Sequence, residues 1–336
     1  MSRKIANSAR GGGDAAAPHF QSSAASSAVS GVRAFSGTRR SRWKAVREHI
    51  IRAALFCCGM ISIATTLGIV GVLVYETSGF FAEVSVSDFL FDTQWTPLFT
   101  DNRHFGIWPL ISGTFLTSFI ALMIAIPIGL LLAIFLCEFA TPRTRRVLKP
   151  FLEILAGVPT VVYGYFALLT VTPFLQKFFP ELSGFNALAP GLVMGVMILP
   201  IVASLSEDAL YAVPRSMKEG AYALGSSKLQ MIFGVLIPSA LGGISAAFIL
   251  GMSRAVGETM IVAIAAGQQA VLSVNPMEPL QTMTAYIVQI SLGDTPHGTL
   301  EFRTIFAVAG VLFLITFGLN YISQRMRERY ELSLRG

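Results

Sequence analysis

Arg254 and Glu258, in the run GMSRAVGETMIVAIAAG, are the residues of this chain best placed to do chemistry. They are four apart, so on a helix they share a face and can pair. Both lie inside a long apolar stretch, where an arginine near mid-bilayer costs about 2.5–3.5 kcal/mol on insertion scales. Two readings follow. In one, Arg254 offers its planar five-donor fork to a tetrahedral oxyanion while Glu258 tunes or gates it, with Thr259 beside them on the same pathway. In the other, the two charges form a structural ion pair that neutralises itself. A second group is Ala156-Gly157-Val158-Pro159-Thr160-Val161-Val162-Tyr163-Gly164. Glycine and proline in an apolar stretch free backbone groups or admit close helix approach. Thr160 and Tyr163 therefore either line a pathway or serve plain packing. Nothing suggests catalysis or a cofactor: there is no G-x-x-x-x-G-K-[ST] loop and no metal-ligand spacing. His19, His49, His104 and His297 are scattered, and Cys57, Cys58 and Cys137 read as small hydrophobes in apolar runs.

The elements that must position these residues are membrane helices. The hydrophobic fraction is 53% and the charged fraction 13%, with mean hydropathy +0.64. Six stretches reach the roughly 20 apolar residues that a spanning helix needs: Ala53–Tyr75, Trp108–Cys137, Phe151–Leu175, Leu188–Leu205, Ile232–Gly267 and Ile305–Ile322. The expected fold class is an all-α membrane protein of six transmembrane helices. The fifth stretch is too long for one straight helix. Gly242-Gly243 and Gly251 are candidate bend points, and Gly257–Ala270 is a candidate separate piece. Pro127 and Pro200 are expected kinks. Glu153 is expected to pair with the Arg143–Lys149 cluster.

Charge sets the orientation. Of 25 Lys and Arg residues, 21 fall in the N-terminal segment to Arg52, the second and fourth connections and the tail, against only Arg103, Lys177 and Arg303 in the odd-numbered connections. By the positive-inside rule both termini are cytoplasmic. The basic balance, pI about 9.4, is thus topology, and no nucleic-acid partner is expected. Residues 1–49 read as a basic, disordered cytoplasmic segment whose composition also resembles an organellar transit peptide. Residues 50–324 read as the membrane domain and 325–336 as a cytoplasmic tail whose arginines snorkel into the lipid headgroups. The external loops near Glu76–Phe105 and Gln268–Phe302 are acidic, and serve either an external partner or solvation alone.

Between the fourth and fifth stretches lies a polar helix-turn-helix, residues 214–238, containing EGAYALGSSKLQMIFGVLIP. Pro214 suits a first turn and Gly225 a helix end. Ser227 and Gln230 have capping-box spacing, and Met217, Ala221 and Leu224 form one apolar stripe. Such an elbow is either an interfacial hairpin or a docking device.

The pattern E-G-A, three residues, Gly225, nine residues, Val-Leu-Ile-Pro resembles the EAA loop of ABC-importer permeases, with Gly220 in place of the family's second alanine. AGVPTVVYG, SRAVGETMIVAIAAG, FGIWPLISGT and LCEFA together resemble the permeases of the phosphate-specific ABC importer, in its C-type form, over roughly residues 50–330. The resemblance implies the importer type I permease fold in a bacterial inner membrane. It also implies a cytoplasmic ATPase dimer docked at Glu219, Gly220, Ala221 and Gly225, and a second, A-type permease. An external phosphate-binding protein would deliver inorganic phosphate, with ATP hydrolysed on another chain. It carries a functional role to Arg254 and Glu258. Competing readings are a permease for another oxyanion, a secondary transporter using the Arg254–Glu258 pair, and a membrane scaffold or sensor. The orientation makes a direct prediction. A cysteine placed at Ser87 reacts with an impermeant thiol reagent from outside the cell and one at Ser226 does not; the reverse pattern inverts the topology.

Overall fold

The computed structural model describes residues 38–99, 102–293, 295–296 and 298–335. Most of the expected N-terminal segment lies outside these residues; its described part, 38–49, is helical. Two compact units divide the chain between Thr66 and Leu67, within a helix α1 assigned to Thr38–Glu83. In the first unit the side chains described from residue 46 onward are exposed. Thr65 and Thr66 donate their hydroxyls to the carbonyls of Ile61 and Ser62, at 2.8 and 3.0 Å. This keeps both hydroxyls satisfied on an otherwise apolar surface.

The second unit continues with α2 (Val86–Phe91), α3 (Trp108–Ile134), α4 (Pro142–Gly157), α5 (Thr160–Phe166), α6 (Thr172–Gln176) and α7 (Leu188–Tyr211). It closes with α8 (Arg215–Ala223), α9 (Lys228–Met231), α10 (Ile237–Val256), α11 (Met260–Ala265), α12 (Met283–Leu292) and α13 (Leu300–Arg335). Single π-helical turns follow α3, α5 and α9. No strand occurs among the described residues. Five helices are long and apolar enough to cross a membrane, and a sixth span arises if the bent pair α4 and α5–α6 is one crossing.

The centre of this unit is a close crossing of α3, α7 and α10, and glycine permits it. A Cβ added at Gly195 would lie 2.8 Å from the Ala121 carbonyl oxygen. One at Gly251 would lie 2.9 Å from Val202. Small residues let backbones approach where lipid gives helices no hydrophobic reason to associate. The hydroxyls of Thr114, Thr117 and Ser118, all buried on α3, bond to carbonyls of their own helix at 2.7–2.9 Å. The tail expected after residue 324 is a continuation of α13, and the Arg325 Nε donates to the Tyr321 hydroxyl at 3.1 Å.

Two expectations about breaks are corrected. The stretch Phe151–Leu175 is not one helix: α4 and α5–α6 meet at 86°. Pro159 lacks an N–H and forces the residue before it out of the helical region; Val158 sits at φ −67°, ψ 129°. The stretch Ile232–Gly267 breaks at Gly257, as the candidate separate piece from Gly257 expects, whereas the candidate bend points are corrected: α10 runs unbroken through Gly242, Gly243 and Gly251. Gly251 serves the helix crossing instead.

At one end of this unit an aromatic cluster joins Phe80, Phe89, Trp95 and Tyr286 by edge-to-face contacts. Much of the acidic charge expected to be solvated there is paired within the chain. Arg303 meets Glu83 at 2.7 Å, Arg103 meets Glu301 at 2.8 Å, and His104 meets Asp92 at 2.7 Å. Burial alone would raise the Asp92 carboxyl, but the Gln94 N–H and the His104 ring outweigh it and hold it below its ordinary value. The close crossing gives a prediction. Gly195→Ala drives a methyl group against the α3 backbone and lowers stability by about 1–3 kcal/mol, read as a lower midpoint of thermal unfolding in detergent. An unchanged midpoint shows that α3 and α7 are not held at this distance.

Candidate functional site

α10 ends at Val256 because Gly257 turns the chain, but two hydrogen bonds carry the turn onward. Gly257 N–H donates to the Ser253 carbonyl at 3.2 Å and Glu258 N–H to the Ala255 carbonyl at 3.1 Å. The i, i+4 geometry therefore survives although Glu258 lies in the break and not in a helix. Arg254 Nη1 donates to Glu258 Oε2 at 2.7 Å. The other carboxylate oxygen accepts from the Met260 N–H at 3.2 Å, in the first turn of α11. Thr284 on α12 donates its hydroxyl to the Glu258 backbone carbonyl at 2.6 Å. Each partner suits its helix end, a cation in the last turn of α10 and a carboxylate ahead of α11.

The two partners differ sharply in access: the Glu258 side chain is 2% exposed and that of Arg254 is 39% exposed. Arg254 Nη2 also reaches the Met197 sulfur at 3.8 Å. An arginine carries five N–H donors, and two of these have partners among the described residues. A buried acid thus holds a partly exposed cation with donors to spare. That arrangement can bind a multi-oxygen anion without moving the arginine.

The structure brings Tyr163 and Gly164 of the Ala156–Gly164 motif against residues that flank this pair. Tyr163 shares one buried cluster with Met197, Ala255 and Ile261. Gly164 lets α5 approach α11: a Cβ there would stand 3.1 Å from the Met260 carbonyl. The Tyr163 hydroxyl is engaged across the proline break, donating to the Leu155 carbonyl at 2.7 Å. Thr160 is partly buried and makes no side-chain hydrogen bond among the described residues. Thr259 donates its hydroxyl to the Gly257 carbonyl at 3.3 Å.

The elbow has the expected local chemistry. Gly225 takes φ +82°, and the Ser226 N–H reaches back to the Ala221 carbonyl at 3.1 Å. Both halves of the Ser227–Gln230 capping box form. The apolar stripe is corrected, however. Ala221 is buried in the chain's own core with Met231 and Ile232, whereas Leu224 is 90% exposed. The outward surface holds Met217, Glu219, Tyr222 and Leu224.

Two acids that tie this end together gave no usable signal in the sequence. Glu138, in the π-turn after α3, takes Lys218 of the elbow at 2.6 Å, and its backbone carbonyl accepts from Lys228. Glu207 on α7, its side chain 2% exposed, takes Lys149 at 3.2 Å and faces Arg145 at 3.8 Å. The expected pairing of Glu153 with that basic cluster is therefore corrected: Glu207 fills the role, and Glu153 makes no ion pair among the described residues. A partner on a distant helix cannot be located from spacing along the chain. The described residues hold no cluster of metal-ligand type.

Comparison with known proteins agrees with this architecture. The family described as "Binding-protein-dependent transport system inner membrane component" matches residues 125–328. A relative from Bacillus subtilis, "Probable ABC transporter permease protein YqgH", is 34% identical over 305 residues, covering 88% of this chain and 96% of that protein. The "Phosphate transport system permease protein PstC" of Mesorhizobium japonicum is 31% identical, covering 89% of this chain and 97% of that one. The protein of the same name from Xylella fastidiosa is 32% identical, covering 72% and 78%. Among solved structures, a bacterial ABC transporter for the acidic polysaccharide alginate shares the fold. Its TM-score is 0.55 at 16% identity, over 85% of this chain and 99% of that one.

The elbow yields a paired prediction. Gly225→Ala forces a side chain into the left-handed region and costs about 1 kcal/mol. Gly220→Ala meets nothing within 4 Å and gains about 0.5–1 kcal/mol from helix propensity. Thermal unfolding of the two variants shows the opposite signs; equal shifts refute the local geometry.

Proposed function

Because this chain belongs to the family of binding-protein-dependent transport system inner membrane components, we propose that it forms half of the pathway of an ATP-driven inorganic phosphate importer. One observation carries the reading: a half-exposed Arg254 fixed by a buried Glu258, in a chain whose relatives include phosphate permeases. The fork suits phosphate, whose oxygens accept parallel N–H bonds. Gly257 and Thr259 flank the same break, while Tyr163 acts as a strut that holds α5 beside it.

In this reading both termini are cytoplasmic, and residues 50–324 make up the membrane domain. A second, A-type permease supplies the other half of the pathway. An external phosphate-binding protein delivers the anion, and a cytoplasmic ATPase dimer meets the outward surface of the elbow at Glu219, Tyr222 and Leu224. Gly225 and Gly220 shape that surface, and Ala221 roots it in the permease. ATP is hydrolysed on that partner dimer. Lys218, Lys228 and Glu138 connect the elbow to the end of α3, so ATPase closure is passed to a membrane helix through one short ion pair and one hydrogen bond to a backbone carbonyl. The coupling requires only that ATP favours one of two arrangements of the complex.

The test is uptake of labelled phosphate by the reconstituted complex, alongside the amount of each variant in the membrane. Arg254→Gln abolishes uptake while the complex still assembles. Glu258→Gln impairs uptake, and the double variant does not restore it. A purely structural pair behaves otherwise: Arg254→Gln strands the buried Glu258 carboxylate and costs about 3–5 kcal/mol, Glu258→Gln leaves a partly exposed arginine and costs less, and the double neutral variant recovers both folding and transport. A double variant that transports phosphate normally contradicts the proposal.

A further inference from the structure

Among the described residues, α4 is a long helix of the second unit with no buried side chain. Its surface is divided in three. One edge holds Arg145 and Lys149 toward Glu207 on α7, which fixes the roll of the helix. Another edge is apolar and open: Val147, Phe151 and Ile154 are 58%, 65% and 66% exposed and follow i, i+4, i+7 spacing. Arg143 and Arg146 lie beside that apolar edge, exposed, and make no ion pair among the described residues.

The direction of α4 adds an independent constraint. It stands at 86° to the α5–α6 pair that follows. If α5–α6 crosses the bilayer, α4 runs in the plane of the membrane surface. A helix lying in that plane with one apolar edge and basic flanks sinks its apolar residues roughly 5–10 Å to the acyl boundary. Its arginines then sit at the level of the headgroups, where the anionic inner leaflet attracts them.

We propose that α4 is a lipid-binding strut. Val147, Phe151 and Ile154 enter the inner leaflet, and Arg143 and Arg146 bind acidic phospholipid headgroups. The strut braces the Val158–Pro159 corner from which α5 departs toward Arg254 and Glu258. The inference rests on the membrane reading of α5–α6 and on the cytoplasmic placement of α4, but not on the identity of the transported anion.

The experiment uses the complete complex in nanodiscs, with Cys57, Cys58 and Cys137 replaced by alanine and a fluorescent probe on Phe151→Cys. The lipids are phosphatidylethanolamine with or without phosphatidylglycerol, doped with nitroxide-labelled lipid. The probe is quenched strongly by a nitroxide just below the glycerol and weakly by one at the chain end, and phosphatidylglycerol increases the quenching. The double variant Arg143→Gln, Arg146→Gln removes at least half of that increase. Should Phe151→Cys not assemble, the same probe on Ile154→Cys carries the measurement. Quenching only in the isolated chain shows that a partner protein covers this edge, and it overturns the proposal. So does an absence of quenching in both, or a phosphatidylglycerol effect that survives the loss of both arginines. Phosphate uptake plays no part in the readout, so either result leaves the transport reading standing.

Discussion

A carboxylate withdrawn from solvent inside a membrane protein must be answered, and the Glu258 carboxylate sets the terms for the structure around it. Leaving such a charge without partners costs several kcal/mol. Its oxygens are met by Arg254 and by the first N–H of α11, and its backbone carbonyl by Thr284. Those three partners come from the end of α10, the start of α11 and the start of α12. The acid therefore defines where a long apolar run stops being a helix and how the next two elements sit against it. Arg254 is held by the same bond, with donors to spare for another acceptor.

The rest of the second unit serves to keep that break in place. Gly195 brings α7 against the α3 backbone and Gly251 brings α10 against the Val202 side chain of α7, so the elements behind the pair have little room to shift. α5 reaches the break through Gly164 and is steadied by Tyr163 across the proline corner. At the elbow end, by contrast, the connections are ion pairs that depend on single side chains. Glu138 holds the elbow and Glu207 holds α4. A glycine-packed centre with ion-paired levers suits a protein that must transmit a movement without losing its fold.

Much of this is legible in the sequence, because the relevant signals are local. Apolar length marks the spans, and the distribution of arginine and lysine marks the connections. Gly225 and the Ser227–Gln230 capping box announce the elbow. The spacing of Arg254 and Glu258 is enough to predict their pairing, even though the helix ends between them. What the sequence hides is the direction in which residues face and the partners they meet across the fold. Ala221 and Leu224 share a stripe by count, yet one is buried and the other exposed. Glu138 and Glu207 lie in or beside apolar runs with nothing nearby in sequence to identify Lys218 and Lys149 as their partners. The proline at 159 was visible, but whether it kinks a helix or turns a corner depends on Tyr163 closing the far side. The fifth stretch breaks at Gly257, where a separate piece is one of the expectations, and α10 runs straight through Gly251, which is occupied in packing against Val202.

The central claim is that the free donors of Arg254 contact the anion while Glu258 keeps hold of the arginine. The most direct measurement is the dipolar coupling between phosphate phosphorus and arginine guanidinium nitrogen, by solid-state NMR of the complex trapped during transport. Comparison with Arg254→Gln assigns the signal to this residue. The account predicts a coupling of direct hydrogen-bonding strength that vanishes in the variant. A bound phosphate with no such coupling, or with the same coupling in Arg254→Gln, contradicts it.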